Sequence, residues 1–265
     1  MRNSRNLRFG LSGTGKMLRF YSIEVYDGRV CVTDQPELAR EQIKNGPVIG
    51  YVGENADNLD NWSGIFYLVM DLDAVTSSYL EMVWCRYYHI PLTIIRTEQW
   101  LIREMKKEDA SLFCHIHEET GEEMVFGHQA SGKEQREEYR ELEEQLRIAA
   151  YIQNIYPVRG FGMYVVEKEK HPIGLAGFEM EEIGGESRIT LGYYIASQER
   201  RKGIAENVCR RLLEYGKKEY NFCDVYLRIH KKNQASIALA QKLGFQLWMP
   251  DPVTSDVLLF RILLT

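Results

Sequence analysis

The chain reads as an α/β (α+β) protein in two parts. A small α/β domain over residues 18–95 follows a lead-in at 1–17, and a larger domain of mixed strands and helices covers 96–265. Three observations predict this. A length of 265 residues accommodates two modest domains. Short apolar runs alternate with amphipathic helical stretches up to Pro91, which stops a helix. Beyond Pro91 a second series begins, and within it an apolar strand empties through a basic, glycine-bearing turn into a helix.

In the first part, Ile23–Thr33 reads as strand and Gln35–Lys44 as helix. Pro47–Gly53 and Ile65–Met70 are short strands, and Thr76–His89 carries Leu80, Val83, Trp84 and Tyr87 at helical spacing. This order makes a small α/β layer. Two motifs inside it imitate catalytic ones. Gly10-Leu-Ser-Gly-Thr-Gly15-Lys16 looks like a phosphate loop, but Met17 stands where a hydroxyl should bind magnesium, and a strand-like run follows where a helix is required. It reads as a flexible lead-in. Asp71-Leu-Asp73 after an apolar strand weakly resembles the opening of the HAD-like hydrolases, whose nucleophile and acid/base would be the two carboxylates. That family continues Gly-Thr, whereas here Ala74-Val75 follows. The competing reading is an acidic turn capping the helix that starts near Thr76.

In the second part, Thr97–Met105 reads as strand and Lys107–His117 as helix. His115 and His117 lie two apart and therefore on different helix faces, so they read as helix-end residues and not as a metal pair. Residues from Thr120 to Lys133 form a polar loop. Glu134–Ile155 is a long helix with Tyr139, Leu142, Leu146, Ala149 and Ile152 along one face. Its glutamates Glu137, Glu138, Glu141, Glu143 and Glu144 are a solvated face, or else a collar for cationic acceptors. Gly160–Val166 and Ile173–Met180 pair as strands. The Gly184-Gly185 turn then leads to the strand Ile189–Ala196. Arg200-Arg201-Lys202-Gly203-Ile204-Ala205 is the turn, and Glu206–Tyr215 the helix. A helix's first amides have no internal partner, and its dipole places partial positive charge there. With Gly203 permitting close backbone approach, the turn reads as an anion site, in particular for a pyrophosphate. Val225–Ile229 is the next strand, with Tyr226, Arg228 and His230 on its other face, and Val257–Leu264 closes the sheet.

Arg200, Gly203 and Ala205 fill the fixed positions of Gln/Arg-x-x-Gly-x-Gly/Ala. The preceding strand, the helix with Leu212 and Leu213, Asn233-Gln-Ala-Ser236 and Lys242-Leu243-Gly244-Phe245 follow in order. From Thr97 to the C-terminus the chain thereby resembles the GNAT (GCN5-related) N-acetyltransferases. The resemblance implies a mixed, splayed central sheet flanked by helices, with acetyl-CoA (coenzyme A) as co-substrate and no metal. Arg200, Arg201, Lys202, Gly203, Ile204, Ala205 and Glu206 would hold the pyrophosphate. Backbone groups of Ile195, Ala196 and Ser197 would pair with the pantetheine arm between two parting strands, and Asn233 and Ser236 would approach the cofactor. Asn233 also reads as a helix N-cap.

The resemblance fails at the chemistry. The family's tyrosine, four residues after Ser236, is Ala240 here, and Arg228 stands where some members carry a carboxylate. Tyr194 and His230 are therefore the candidates for proton work, against the alternative that both only line the cleft. The implied reaction is transfer of an acetyl group to a primary amine by direct attack in a ternary complex, an N-terminal or small-molecule amine being favoured. A catalytically silent acyl-CoA-binding module is the alternative.

Hydrophobic content of 45% with 27% charged residues describes a globular protein, and a net charge of −5 argues against nucleic acid as partner. Five cysteines, odd in number and without Cys-x-x-Cys, fit reduced thiols in the cytoplasm better than a disulfide framework. No run reaches membrane-spanning length. Homo-oligomerisation is left open.

Overall fold

The computed structural model describes residues 21–53, 56–120 and 140–264. The Gly10–Lys16 motif, most of the polar loop after Thr120, and Glu137, Glu138 and Tyr139 lie outside the described residues. The chain divides into two compact units, one ending at Leu92 and one beginning at Thr93.

The first unit holds a four-stranded sheet in the order β1 (Tyr21–Val25), β2 (Gly28–Thr33), β3 (Val48–Tyr51), β4 (Leu68–Val69). Where the sequence predicts one strand from Ile23 to Thr33, the structure has a hairpin, because Tyr26 turns left-handed at φ 50°. Gly28 is required there: a Cβ would lie 2.1 Å from the Trp84 ring. The remaining neighbours are parallel. Helix α1 (Pro36–Gln42) buries Ala39 with Val48 and Trp62. Helix α2 (Ser77–Tyr87) buries Leu80, Val83 and Trp84 against Val30, Val32 and Ile49. The Asp71 carboxylate accepts the Asp73 amide at 2.9 Å, both side chains are exposed, and Thr76 caps α2 by accepting the Tyr79 amide. Both residues thus serve the turn and helix start.

The second unit is built on an eight-stranded sheet. Its strands, in chain order, are β5 (Thr93–Arg96), β6 (Leu101–Arg103), β7 (Met163–Lys168), β8 (His171–Ile183), β9 (Glu186–Ile195), β10 (Asp224–His230), β11 (Gln246–Pro250) and β12 (Val257–Leu263). In space they run β11-β12-β10-β9-β8-β7-β6-β5. Every neighbouring pair is antiparallel except β9 and β10. The predicted strand from Thr97 is interrupted, because the Thr97 hydroxyl accepts the Trp100 amide at 3.0 Å and folds the chain into a turn before β6.

Helices α3 (Ala110–Thr120), α4 (Arg140–Asn154) and the single turn α5 (Tyr156–Arg159) follow β6, α6 (Ile204–Tyr220) joins β9 to β10, and α7 (Gln234–Leu243) follows β10. On α4 the face marked by Leu142 and Leu146 is exposed, whereas Ile148 and Tyr151 are buried. Only the C-terminal half of this helix meets the core. Helix α6 buries Val208, Cys209, Leu212 and Leu213 in the same cluster as Phe178, Leu191 and Leu227 of the sheet. A buried ion network ties β6, the 3₁₀ turn Lys107–Asp109 that leads into α3, and β7 together. Arg103 donates to both oxygens of Asp109 at 2.8 Å and to Glu167 at 2.7 Å. Such a fork is geometrically specific, and it leaves none of its own three charges unpaired. No helix among the described residues is long and apolar enough to cross a membrane.

Candidate active site

Everything converges on the end of β9. The Ala196 amide donates to the Ile173 carbonyl of β8 at 2.9 Å, a short 3₁₀ turn covers Ser197–Glu199, and Arg201 and Gly203 both adopt left-handed φ, 62° and 75°. Gly203 is the N-cap of α6 and offers no side-chain cap. The first helical bond runs from Asn207 N–H to Gly203 C=O at 3.1 Å, so the amides of Ile204, Ala205 and Glu206 lie before it without a helical acceptor. A side chain at position 203 would enter open space, since nothing lies within 4 Å of its Cβ, but the backbone would be strained.

The basic residues divide by role. Arg200 turns inward: its Nε donates to the Ile195 carbonyl at 2.7 Å and a terminal nitrogen reaches Glu119 at 2.7 Å. Lys202 pairs with Glu199, which also receives Lys168, each at 3.1 Å. Arg201 is exposed. Glu206 is held by Lys242 and Arg210.

Glu119, near the end of α3, is the hub that sequence reasoning missed, having ended the helix at His117. Its carboxylate accepts the Ser197 amide at 3.1 Å, the Tyr194 hydroxyl and Arg200. Hydrogen bonding from Ser197 first, then from Tyr194, with the Arg200 charge, holds its carboxyl down to about 2. A carboxylate in the last turn of a helix stands against the macrodipole. That local misfit was the signal available in the sequence.

The second feature is the parting of β9 and β10. Their only registered pair is Thr190 with Tyr226, and from there β9 continues to Ile195 and β10 to His230 without further pairing. Since the Ala196 amide points to β8, alternation turns the Ile195 amide the other way, towards the gap.

The acetyltransferase (GNAT) domain family matches residues 96–246. The chain belongs to that family. No curated protein matches it in sequence. Solved structures share the fold: a GnaT-family acetyltransferase from Bordetella pertussis, at 19% identity and TM-score 0.50, covers 63% of this chain and 97% of its own. The ribosomal L7/L12 alpha-N-protein acetyltransferase RimL in complex with coenzyme A is 16% identical at TM-score 0.51, covering 65% of this chain and 98% of its own. Its apo form gives 16% and 0.51, with 66% and 96% covered.

In this acetyltransferase the two tyrosines of β9 face opposite sides of the sheet. Tyr194 looks towards α3, where the Arg200 guanidinium also lies over its ring at 5.4 Å, and burial together with Glu119 pushes its hydroxyl up to about 12. Tyr193, which sequence reasoning passed over, faces Cys209 of α6 and Ser236 of α7, and its buried hydroxyl has the Ser236 side chain as its polar neighbour. His230 is exposed, its Nδ1 accepting the Lys232 amide at 3.1 Å. Asn233 caps α7 by accepting the Ser236 amide at 3.0 Å. Ala240 is fully buried, so that part of α7 presents no hydroxyl. Arg228 is clamped by Glu181 at 2.9 Å and Asp251 at 2.7 Å. His115 and His117 each keep one ring nitrogen buried and unpartnered, and no group of three or more metal-ligating side chains occurs among the described residues.

Proposed function

We propose that this chain is an acetyl-CoA-dependent N-acetyltransferase acting on a primary amine. The uncapped, left-handed entry to α6 carries the reading. Its free amides, Gly203 and the exposed Arg201 suit a diphosphate, and the gap beside Ile195 suits an extended arm. The donor set fits coenzyme A, which RimL holds on the same fold. Lys202, Gly203, Ile204 and Ala205 would hold the diphosphate, with Arg201 and, at its margin, Glu206. Asn233 and Ser236 border the gap. When bound, acetyl-CoA supplies an activated thioester.

Arg200, and the groups of Ala196 and Ser197 expected to pair with the arm, already have partners within the protein. These shape the wall of the gap, and Ile195 supplies the amide aimed at the acyl oxygen. Holding amine and thioester in line contributes most of the rate. For the departing thiolate, Tyr193 is the hydroxyl we place nearest the work, in the stead of the absent side chain at Ala240. Burial keeps it protonated, its pKa raised to about 12, so it is available as a donor. Tyr194 and His230 line the gap, Tyr194 through its tie to Glu119 and His230 at the mouth.

An α-amine near pKa ~8 is favoured over a lysine near ~10.4, since deprotonation at neutral pH costs the lysine about 3 kcal/mol more. All five cysteines are free, which suits a reducing, cytoplasmic setting. Two assays test the proposal: thermal shift with acetyl-CoA, then thiol release over a panel of amines. Stabilisation followed by amine-dependent thiol supports it. Stabilisation with no amine-dependent thiol favours a silent acyl-CoA-binding module, and the absence of any shift removes both.

A further inference from the structure

We propose that Glu119 of α3 is a positioning residue for acyl transfer: through Tyr194 and Arg200 it fixes the two peptide units on either side of the Ile195 Cα, and so aims the Ile195 amide at the acyl oxygen. This role rests on the acyl-transfer reading above. The Ile195 N–H belongs to the unit shared with Tyr194, and its C=O to the unit shared with Ala196. Tyr194 donates its hydroxyl to Oε2 of Glu119. Arg200 donates its Nε to the Ile195 carbonyl and a terminal nitrogen to the same Oε2, each at 2.7 Å. Oε1 accepts the Ser197 amide at 3.1 Å. One carboxylate therefore holds the chain before, at and after the Ile195 amide.

The strand needs such a hold here. Its registered pair with β10, Thr190 with Tyr226, lies well short of Ile195. On the other side β8 is in place: Gly174 stands opposite Ile195, and the Ala196 amide donates to the Ile173 carbonyl at 2.9 Å. The approach is close, since a Cβ at Gly174 would lie 2.2 Å from the Tyr194 carbonyl oxygen. Alternation turns both the amide and the carbonyl of Ile195 towards the gap, so β8 orients neither directly. Arg200, tied to Glu119 and lying over the Tyr194 ring at 5.4 Å, takes that carbonyl and stands in for the missing strand. A backbone donor is most effective when it is aimed before charge develops, and a misplacement of about 1 Å can cost about 10²-fold in rate.

Charge separates this role from a purely structural one. Glu119 and Arg200 form an ion pair at the stem of the turn 201–205. Hydrogen bonding from Ser197 first, then from Tyr194, together with the Arg200 charge, keeps the carboxyl ionised at neutral pH. Removing its charge leaves Arg200 an unopposed cation one residue before that turn, where a diphosphate attracts it. Coenzyme binding is thus kept or strengthened by the same change that loosens the Ile195 amide. A carboxylate that merely kept the turn folded would, on removal, lose coenzyme affinity and turnover together.

The test uses the full chain with Glu119→Gln, Arg200→Gln and the double variant, acetyl-CoA as donor and an α-amine as acceptor. Glu119→Gln should lower kcat by roughly 10- to 100-fold, while its Kd for coenzyme A, by calorimetry, equals or falls below that of the wild type. Because Glu119 acts through Arg200, the double variant should lose little more kcat than the worse single variant, where independent effects would multiply. Tyr194→Phe keeps the carboxylate and Arg200 in place, so it should lower kcat by a smaller factor at unchanged affinity. It carries the test if Glu119→Gln does not fold. A wild-type kcat in either Glu119→Gln or Tyr194→Phe, a Kd that weakens in step with kcat, or losses that multiply in the double variant overturns the role of Glu119 alone. If the wild-type protein releases no thiol with any amine, the acyl-transfer reading fails and takes this role with it.

Discussion

Two substitutions at Gly203 separate backbone strain from charge at the α6 entry. The residue sits at φ 75° with open space around its Cβ position, so Ala and Glu suffer the same conformational penalty and neither meets a neighbour at Cβ. That penalty is about 1–2 kcal/mol for an L-residue held left-handed. For a unit of this size it corresponds to a fall in Tm of roughly 2–8 °C in both variants. Strain borne equally by free and bound protein leaves affinity unchanged, so Gly203→Ala should bind coenzyme A as the wild type does. Gly203→Glu adds a negative charge ~6 Å from the diphosphate, a repulsion of about 0.7 kcal/mol in water-like surroundings and about 3 kcal/mol at an effective dielectric of ~20. Its Kd for coenzyme A, by titration calorimetry at low salt, should rise roughly 3- to 150-fold, and added salt should narrow the gap. Equal affinities for the Ala and Glu variants would refute an anion at this turn.

Other outcomes follow from the same geometry. Tyr193→Phe deletes a buried hydroxyl whose polar neighbour is Ser236, so stability should fall by no more than the ~1 kcal/mol of one neutral hydrogen bond, while kcat falls on the order of 10-fold or more if the phenol assists the thiolate. Asp109→Asn leaves Arg103 short of a buried countercharge, and denaturant melts should show a loss of about 3–5 kcal/mol. Glu119, whose folded pKa is lowered from 4.5 to about 2, contributes stability above pH 4.5 that is lost as pH falls towards 2. Melts of wild type and Glu119→Gln should therefore converge on acidification; a gap constant from neutrality to acid would contradict the hub. Leu212→Ala, at a fully buried position of α6, should cost about 2–5 kcal/mol.

The elements legible in the sequence were those whose signal is local. Thr76 and Asn233 announce helix starts through their side chains, and Val225, Leu227 and Ile229 alternate as a half-buried strand must. The turn from Arg200 to Ala205 shows its chemistry in six residues. What escaped depends on residues far apart in the chain. Nothing near Glu119 says that Tyr194, Ser197 and Arg200 await it some 75 to 81 positions on. Glu179 looks like any polar residue of a half-buried strand until burial and the Glu181 charge raise its carboxyl. On α4, Leu142 and Leu146 obey the helical period, yet period alone cannot say where the core ends. Arg200 matches the family pattern by type, and only the fold reveals that Ile195 and Glu119 claim its donors.

The strand β11 closes one side of the larger sheet, with Leu247, Trp248 and Met249 all open to solvent. A flat apolar border of that kind invites foreign chains to extend the sheet. Here the ladder to β12 slips between Leu247 and Met249, and Pro250, at the strand's end, has no N–H to offer. The border is thus sticky in its side chains but broken in its backbone, so whatever rests on it must do so by side-chain contact and cannot simply add another strand.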